Sequence, residues 1–217
     1  MPKPIIFWGA AGQAKVLAEF MEAGGYRLCA LFDNNSSQPS PIAGIPLHFG
    51  REGFESWRRS CPQKQVYGLV AVGGSRGRER YDLQQYLEAN EIKIVTVIHP
   101  GAIVASNAQI DAGSQILAGA VVCAESVLGK ACIVNTGASV DHECCLQNGV
   151  HIGPGTVLSG CVLVGEYTFI GAGAVILPRI KIGRNVIVGA GSVVTRDIPD
   201  GCVAYGNPAR VKRQVSV

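Results

Sequence analysis

The stretch "FIGAGAVILPRIKIGRNVIVGAGSVV", residues 169–194, repeats one pattern every six residues. Its aliphatic anchors stand at a constant spacing, at Ile170, Ile176, Ile182, Val188 and Val194. An α-helix has a period near 3.6 residues and a β-strand a period of about 2. A strict period of six therefore indicates short strands joined by repeated turns, as in a parallel β-helix.

The same pattern covers almost half of the chain. Steps of six from Ile98 to Val194 always reach Ile, Leu or Val, and the residue four positions after each anchor is mostly small or β-branched. Three such hexads complete one coil of a three-sided prism, so we expect the anchors to stack inside it. Residues eighteen apart then lie above one another, about 4.8 Å apart along the axis.

Glycines often follow the anchors directly, as in the segments "IGPG", "VGEY", "IGAG", "IGRN" and "VGAG". Because glycine reaches backbone conformations that other residues avoid, we expect these glycines to supply conformational freedom at the corners of the prism. A β-sandwich with a chance periodicity is the alternative, and the unbroken repeat argues against it.

The first ninety-odd residues have a different pattern. They predict alternating strands and helices, with strands at 5–8, 28–32 and within "VYGLVAVGG" (66–74), and helices at about 14–23 and within "RERYDLQQYLEAN" (78–90). This order indicates a βαβ unit and a short parallel sheet. Ligands of such sheets bind at the carboxyl ends of the strands.

Composition excludes several classes of function. The 217-residue chain has a net charge of +3 with only 16% charged residues and no block of Lys or Arg, so we expect no nucleic acid partner. No run of 18 apolar residues predicts a membrane span, and the apolar stretch near the start is too short for a signal peptide. The eight cysteines are scattered without a C-x-x-C pair. We therefore expect a soluble, cytoplasmic protein with reduced thiols.

Candidate ligand-binding residues cluster at the predicted ends of the N-terminal strands. A phosphate could bind where the turn from Gly9 to Gly12 begins a helix, although the full G-x-G-x-x-G fingerprint is missing and a plain tight turn is equally consistent. Asp33 could accept hydrogen bonds from a ribose or base, or cap its own turn. The candidates for substrate binding are Gly9, Ala11, Gly12, Gln13, Asp33, Asn34, Gly73 and Arg76.

The order of motifs resembles one family along the whole chain. The repeat is similar to that of the hexapeptide-repeat acyltransferases, and the tail at 198–213, "IPDGCVAYGNPARVKR", contains their G-x-P-A ending. The segments "GAAGQAKV" (9–16), "IAGIPL" (42–47) and "VAVG" (70–73) before the repeat resemble bacterial sugar acyltransferases of the sialic acid O-acetyltransferase type. These include N-acetyltransferases that act on nucleotide-linked 4-amino-4,6-dideoxy sugars.

The resemblance carries expectations about architecture and partners. It implies an α/β, Rossmann-like nucleotide-sugar-binding domain at 1–97, followed at 98–217 by an all-β, left-handed parallel β-helix with a C-terminal tail. It also implies acetyl-CoA as co-substrate and a homotrimer with active sites between subunits. The chain departs from its relatives at two places: Gln13 stands where they usually have His, and Asp33-Asn34 stands where they often have two acidic residues.

Two histidines nine residues apart are the candidates for catalysis. Acetyl transfer needs a base for the attacking group and a donor for the oxyanion, and imidazole titrates in the right range for a base. The resemblance assigns His142 as the general base and Glu143 as the carboxylate that orients it, with Asp141 as the alternative carboxylate.

The eighteen-residue length of one coil also predicts a hydrogen-bond donor for the oxyanion. Gly160 follows His142 by eighteen residues, so its backbone amide is expected one coil above the base. His151 lies half a coil away and faces another side of the prism. In a trimer, the resemblance implies, a neighbouring copy of His151 contacts the acetyl group or CoA, and the pantetheine arm runs near Ala172 and Ala190.

The expected function is acetyl-CoA-dependent N-acetylation of the 4-amino group of a nucleotide-linked sugar, with UDP preferred. The amine attacks directly, so no cysteine is a nucleophile. O-acetylation of a sialic acid or related sugar is one alternative, and a trimeric, non-catalytic sugar-nucleotide-binding scaffold is another. A zinc site would need clustered histidines, and the spacing of His99, His142 and His151 does not predict one.

Overall fold

The computed structural model describes residues 2–215, and its backbone contacts divide the chain into two compact units. One unit comprises the chain up to Val72 together with Asp82–Val95, and the other comprises Gly73–Tyr81 together with the chain from Thr96 onward. The sequence alone assigned Gly73–Tyr81 to the N-terminal domain, whereas its contacts group this segment with the repeat.

The first unit is built on a parallel five-stranded sheet. Its elements, including a helix whose first turn belongs to the second unit, are β1 Lys3–Trp8, α1 Gly12–Met21, β2 Tyr26–Asp33, β3 Leu47–Phe49, α2 Gly50–Ser60, β4 Tyr67–Val70, α3 Gly77–Ala89 and β5 Lys93–Ile94. The strand order is β3-β2-β1-β4-β5, so the chain reverses its direction of travel across the sheet beside β1. No helix within residues 2–215 has both the length and the apolar character that crossing a bilayer requires.

The helix α2 and the short strands β3 and β5 were not predicted from the sequence. α2 buries Phe54 and half-buries Trp57 one turn later, and its other side chains are mostly charged or small, so only two apolar residues mark this helix in the sequence. Phe54 lies in an aromatic cluster, with ring centroids 5.8 Å from Trp8, 5.3 Å from Phe32 and 5.6 Å from Tyr86. Trp57 also joins this cluster, 5.4 Å from Phe32, so the tertiary packing of two rings positions this helix.

The second unit is a parallel β-helix. Seventeen two-residue strands follow one another along the repeat: β6 Val97–Ile98, β7 Ile103–Val104, β8 Gln109–Ile110, β9 Gln115–Ile116, β10 Val121–Val122, β11 Val127–Leu128, β12 Ile133–Val134, β13 Ser139–Val140, β14 Cys145–Leu146, β15 His151–Ile152, β16 Val157–Leu158, β17 Leu163–Val164, β18 Phe169–Ile170, β19 Val175–Ile176, β20 Lys181–Ile182, β21 Ile187–Val188 and β22 Val193–Val194. They stack into three sheets, and partners such as Val121 and Ser139 are eighteen residues apart. The predicted repeat and its coil length are confirmed.

The sheets differ in how they end. The eight-stranded sheet continues past β21 into an antiparallel hairpin formed by β23 Cys202–Gly206 and β24 Ala209–Gln214. Anchors from Ile116 to Val194 form the buried core, as predicted. The first anchors are not enclosed: Ile98 is 47% exposed, and Val104 and Ile110 are half-buried, because no further coil lies beneath the first one.

The glycines that follow the anchors have a different role from the predicted one. Gly153 and Gly171 do not have positive φ; instead, a Cβ on Gly153 would lie 2.8 Å from the Ala172 nitrogen, and one on Gly171 would lie 2.5 Å from the Ala190 nitrogen. These glycines let successive coils approach closely. Positive φ occurs two residues later, at the second residue of each turn, as at Gly155 (φ 63°).

Each coil turns three corners, and the positive-φ residues stack at each corner with a spacing of eighteen. The glycine corner joins the eight- and six-stranded sheets and has glycine at each of these positions: Gly119, Gly137, Gly155, Gly173 and Gly191. The histidine corner, named for His142, has none: Glu125, Glu143, Cys161 and Arg179. The arginine corner is mixed: Gly113, Ala131, Gly149, Tyr167 and Asn185.

The segment Gly73–Tyr81 is held on the arginine corner by a buried guanidinium. Arg80 is fully buried, and it donates from Nε to the Ala131 carbonyl and from Nη2 to the Gly149 carbonyl, both at 2.7 Å. Burial lowers the pKa of Arg80 to about 10, so the group stays charged at neutral pH. Sequence reasoning missed Arg80 because nothing in its local pattern separates it from the exposed arginines beside it.

The same segment covers His151, which is only 4% exposed. Its Nδ1 lies 3.1 Å from the Gly74 carbonyl and its Nε2 lies 3.0 Å from the Asn135 side-chain nitrogen. These partners fit a neutral ring that donates from Nδ1 to Gly74 and accepts from Asn135 at Nε2. Burial first, and the charge of Arg80 second, lower the pKa of His151 to about 3.

Replacing Arg80 with Met is expected to lower the free energy of unfolding by at least about 2 kcal/mol. The substitution keeps the length of the side chain but leaves two buried carbonyls without their charged donor. Urea denaturation measures the change. Arg76→Met, at an exposed position in the same segment, is the matched control and should stay within about 0.5 kcal/mol of the parent. Equal stability of the two variants would contradict the role of Arg80.

His151 is expected to make stability fall as the pH is lowered. The unfolded histidine takes up a proton near pH 6.5, whereas the folded ring, with a pKa of about 3, does not. Between pH 7 and pH 5 this difference removes about 2 kcal/mol of unfolding free energy. Urea titrations at several pH values should show a smaller loss for His151→Gln than for the parent. Identical pH slopes would exclude a neutral, buried His151.

Candidate active site

His142 stands in the turn between β13 and β14, at the histidine corner. The residues that stack with it in the neighbouring coils are small or compact: Ala124, Gly160 and Pro178. Its side chain is 53% exposed, and the ring lies beside Gly160, in the space that a Cβ there would take. A Cβ at Gly160 would overlap the His142 ring, with Cε1 only 2.6 Å away. The absence of a side chain at Gly160 therefore makes the space that the imidazole occupies.

The two acidic neighbours of His142 have separate tasks. Asp141 Oδ1 accepts a hydrogen bond from the backbone amide of His142 at 2.7 Å, so this carboxylate fixes the turn. Glu143 Oε1 lies 3.4 Å from His142 Nδ1, on the ring side. Glu143 also has positive φ (56°) in this turn. Of the two carboxylates, Glu143 is the one beside the imidazole.

The backbone of Gly160 offers a donor beside the ring. Within residues 2–215 its carbonyl accepts a bond from the Arg179 amide at 3.0 Å, but its own N–H has no hydrogen-bond acceptor. The neighbouring amide of Cys161 is used, since it donates to the His142 carbonyl at 2.9 Å. A free amide thus lies one coil from His142, as the eighteen-residue spacing predicts.

The other predicted donor-binding residues lie elsewhere on the prism. His151 is in β15 of the eight-stranded sheet, on a different side from His142, and both ring nitrogens have partners in their own protomer. The buried ring has no free nitrogen and holds the Asn135 amide instead, so we do not include a contact between His151 and CoA in the proposed site. Ala172 and Ala190 are exposed and stack at the glycine corner. Asn135 was missed because its importance comes from a contact sixteen residues away.

Buried cysteine at the histidine corner is unsuited to nucleophilic catalysis. Cys144 follows Glu143 directly and points into the core, where burial raises the pKa of its thiol to about 11. Its Sγ donates to the Ser159 carbonyl at 3.2 Å. Such a thiol is almost entirely protonated at neutral pH, and the thiolate is the nucleophilic form.

In the first unit, the glycine turn and Asp33 form one hydrogen-bonded structure. Gly9 has φ of 113°, and a Cβ there would lie 2.6 Å from the carbonyl carbon of Ala71, so the ends of β1 and β4 meet at this glycine. Asp33 Oδ2 accepts from the Ala10 amide at 2.8 Å, and Oδ1 accepts from the Asn35 amide at 2.9 Å. The carboxylate therefore ties the turn after β1 to the end of β2.

The helix start beside this turn is open. Ala11 is the N-cap of α1 and provides no side-chain hydrogen bond, and a Cβ on Gly12 would have no other atom within 4 Å. Ala11, Gly12 and Asn34 are exposed, and Gln13 is half-buried. Uncapped amides at a helix N-terminus, together with the helix dipole, favour an anion.

The remaining two substrate candidates, Gly73 and Arg76, belong to the second unit. The Arg76 guanidinium makes two bonds of 2.6 Å to the Glu79 carboxylate on the exposed start of α3. The neighbouring Arg78 lies 5.0 Å above the Tyr167 ring. These arginines have protein partners in the segment or at the arginine corner, and a phosphate would have to compete with those partners.

Comparison of the chain with known proteins identifies relatives that have the same β-helical repeat. A family model described as bacterial transferase hexapeptide (six repeats) matches residues 161–196. PerB, the perosamine N-acetyltransferase of Caulobacter crescentus solved with CoA and GDP-perosamine, is 34% identical, with a TM-score of 0.87 and 97% of each chain covered. The acetyltransferase domain of PglB from Neisseria gonorrhoeae, solved with acetyl coenzyme A, is 36% identical, with a TM-score of 0.85 over 98% of this chain and 100% of that one.

A third solved structure supports the fold alone. WeeI from Acinetobacter baumannii is 24% identical, with a TM-score of 0.85 over 97% of this chain and 100% of its own. The first two matches extend over both units, beyond the repeat itself. Taken with the β-helix and its histidine corner, they show that the chain belongs to the hexapeptide-repeat acyltransferases, in the group of acetyl-CoA-dependent sugar N-acetyltransferases.

Proposed function

We propose that this protein transfers the acetyl group of acetyl-CoA to the 4-amino group of a nucleotide-linked 4-amino-4,6-dideoxy sugar. The observation that supports this proposal most directly is the arrangement of His142 against Gly160, with Glu143 beside the imidazole ring. A relative 34% identical over 97% of the chain was solved with CoA and GDP-perosamine, which supports the substrate class. A UDP-linked sugar is the expected substrate, and a GDP-linked sugar is the main alternative.

His142 acts as the general base in this proposal. Glu143 lies beside Nδ1, which favours a proton on that nitrogen and leaves the lone pair on Nε2 for the substrate. Nε2 accepts a proton from the amine as its nitrogen attacks the thioester carbonyl. When the tetrahedral intermediate collapses, the C–S bond breaks and the imidazolium returns the proton to the departing CoA thiolate. No acetyl-enzyme is formed.

The Gly160 amide is the proposed oxyanion donor. Negative charge develops on the thioester oxygen during attack, and a fixed N–H with no other acceptor costs little to reorganise. Its position against the His142 ring keeps the donor and the base within reach of one carbonyl group. Proton transfer and charge stabilisation are thereby assigned to two residues of the same corner.

A homotrimer with shared active sites is supported by the outer face of the six-stranded sheet. This face lies between the histidine and glycine corners, and its outward residues are mostly aliphatic: Ile103, Val121, Ser139, Val157, Val175 and Val193. Ile103 is 67% exposed and Val157 is 41% exposed. A second copy packed on this face would bring its glycine corner, with Ala172 and Ala190, toward His142, and the pantetheine arm would lie between them.

The nucleotide is assigned to the first unit, which we propose to be a Rossmann-like binding domain. The reversal of strand order beside β1 creates a crevice at the carboxyl ends of the strands. The open start of α1 at Ala11 and Gly12 would hold the diphosphate. Asp33 supports this turn through Ala10, so its contribution to nucleotide binding would be to shape the site, while exposed Asn34 remains the candidate for a direct contact.

Replacing His142 with Ala is expected to lower kcat/KM at least about 100-fold, because general base catalysis typically contributes that much or more. Glu143→Gln should lower kcat by about tenfold with little change in KM, since it leaves the base in place. CoA release followed with a thiol reagent measures both. His99→Asn is the histidine control and should retain the parental rate. Activity of His142→Ala within threefold of the parent would contradict the assignment.

A substrate panel is expected to give acetylation only of nucleotide-linked amino sugars. Purified protein with acetyl-CoA is assayed against UDP-, GDP- and dTDP-linked 4-amino-4,6-dideoxy sugars and against free sialic acids, with mass spectrometry locating the added acetyl group. Thermal shifts with UDP, GDP, dTDP and CMP should identify the same nucleotide, since a ligand of the native state raises apparent stability. Acetylation of a sialic acid hydroxyl would favour O-acetylation, and no CoA release with any sugar would favour a scaffold.

A further inference from the structure

The histidine corner brings three potential metal ligands together. Glu143 and Cys161 occupy the same corner position in successive coils, and both have positive φ (56° and 61°). Glu143 Oε1 is 3.4 Å from His142 Nδ1, and Glu143 Oε2 is 3.7 Å from Cys161 Sγ. All three ligand atoms lie within 4.8 Å of one another. This group was not predicted from the sequence, because only histidines were considered as zinc ligands.

These separations are close to those of a tetrahedral zinc site. With bond lengths of about 2.0 Å to nitrogen and oxygen and about 2.3 Å to sulfur, tetrahedral angles place nitrogen about 3.3 Å from oxygen and sulfur about 3.5 Å from oxygen. The observed 3.4 Å and 3.7 Å are measured to the two different oxygens of Glu143, so a rotation of this carboxylate is needed to bring one oxygen close to both partners. The third separation, from the His142 nitrogen to Cys161 Sγ, is at most 4.8 Å and would be about 3.5 Å in such a site.

The chemistry of the ligands selects a thiophilic divalent cation. A thiolate, a carboxylate and a neutral imidazole together carry two negative charges, which Zn²⁺ neutralises, and the thiol releases its proton to solvent on binding. His142 and Glu143 are more than half exposed, so a cation reaches them without displacing packed side chains. Three protein ligands leave the fourth position for water.

Backbone strain is a second observation at this corner. Residues with a Cβ are disfavoured in the left-handed region by about 1–2 kcal/mol each, and the glycine corner avoids this cost at all five of its positions. The histidine corner instead keeps side chains at its four positions, among them Glu143 and Cys161. Strained residues of this kind are found at functional sites, although the arginine corner also has them at Ala131, Tyr167 and Asn185. The proposed acetyl transfer uses Glu143, and the only contribution of Cys161 to it is a weak hydrogen bond from Sγ to Glu143 Oε2, which a serine hydroxyl could also donate.

We propose that His142, Glu143 and Cys161 form a binding site for Zn²⁺ that inhibits acetyl transfer. A metal on Nδ1 of a neutral imidazole leaves the proton on Nε2, so the ring loses the lone pair with which it would accept the proton of the amine. The inhibitory effect rests on the proposed function of His142, whereas the binding of the metal does not. Removal of the metal restores the base.

Cobalt substitution tests the binding. Co²⁺ added to the full-length, thiol-reduced protein is expected to give a thiolate-to-metal charge-transfer band that saturates at one ion per chain and is displaced by Zn²⁺. Cys161→Ser should abolish the band and weaken Zn²⁺ binding in equilibrium dialysis by at least about tenfold. Cys145→Ser, a half-buried thiol outside the group, is the matched control and should keep both. An unchanged band in Cys161→Ser would overturn the site.

Activity measurements test the inhibition. Without metal, Cys161→Ser should transfer acetyl groups at the parental rate. With Zn²⁺, the parent and Cys145→Ser should be inhibited, whereas Cys161→Ser should keep its rate. Addition of EDTA should restore the rate of the parent. Saturating Zn²⁺ that leaves the parental rate unchanged would overturn the inhibitory role. If the metal-free parent acetylates nothing, the proposed function fails, while the cobalt experiment still decides whether the metal site exists.

Discussion

The structure of the repeat depends on one constraint: each coil contains eighteen residues, and backbone hydrogen bonds join every coil to the next. The amide of Cys161 bonds to the carbonyl of His142, and that of Arg179 bonds to Gly160, so each corner is a stack of equivalent turns. Side chains far apart in sequence are therefore held in fixed register. Neither the buried core nor the candidate site would be defined without this ladder.

The three corners share the same backbone turn but differ in the side chains at their positive-φ positions. One has only glycine at its positive-φ positions, one keeps polar and reactive side chains there, and one is covered by Gly73–Tyr81. Arg80 is the centre of the third arrangement, because a charged donor saturates two carbonyls in a place that water does not reach. The prism thus places the corner that contains His142 a third of a coil away from the corner that Gly73–Tyr81 covers.

The architecture of the repeat could be predicted from the sequence because its anchors obey a local period. Positions such as Ile170 and Val188 follow from counting alone. The role of Gly171 could not be predicted in this way, since a glycine needed for space and a glycine needed for positive φ look identical in sequence. Helix α2 and the burial of Arg80 were missed for a related reason: both depend on contacts with residues distant in the chain.

Within the candidate site, the placement of Gly160 over His142 followed from the coil length. The choice between Asp141 and Glu143 did not, because both adjoin the histidine in sequence and only the folded turn shows that Asp141 accepts from the His142 amide while Glu143 lies beside the ring. His151 was expected to meet a ligand, and its environment does not favour that expectation. Its ring makes two internal hydrogen bonds and has a pKa of about 3, which fits a neutral histidine packed inside the chain.

The eighteen-residue coil also governs how such a chain can change in length. Insertion or deletion of a whole coil leaves every side chain at its own corner, whereas deletion of a single hexad rotates all that follows by one face. If six residues were lost between His142 and Gly160, Glu166 would take the place of Gly160, and its side chain would fill the space that the imidazole needs. Growth or shortening of this prism therefore preserves its chemistry only in whole-coil steps.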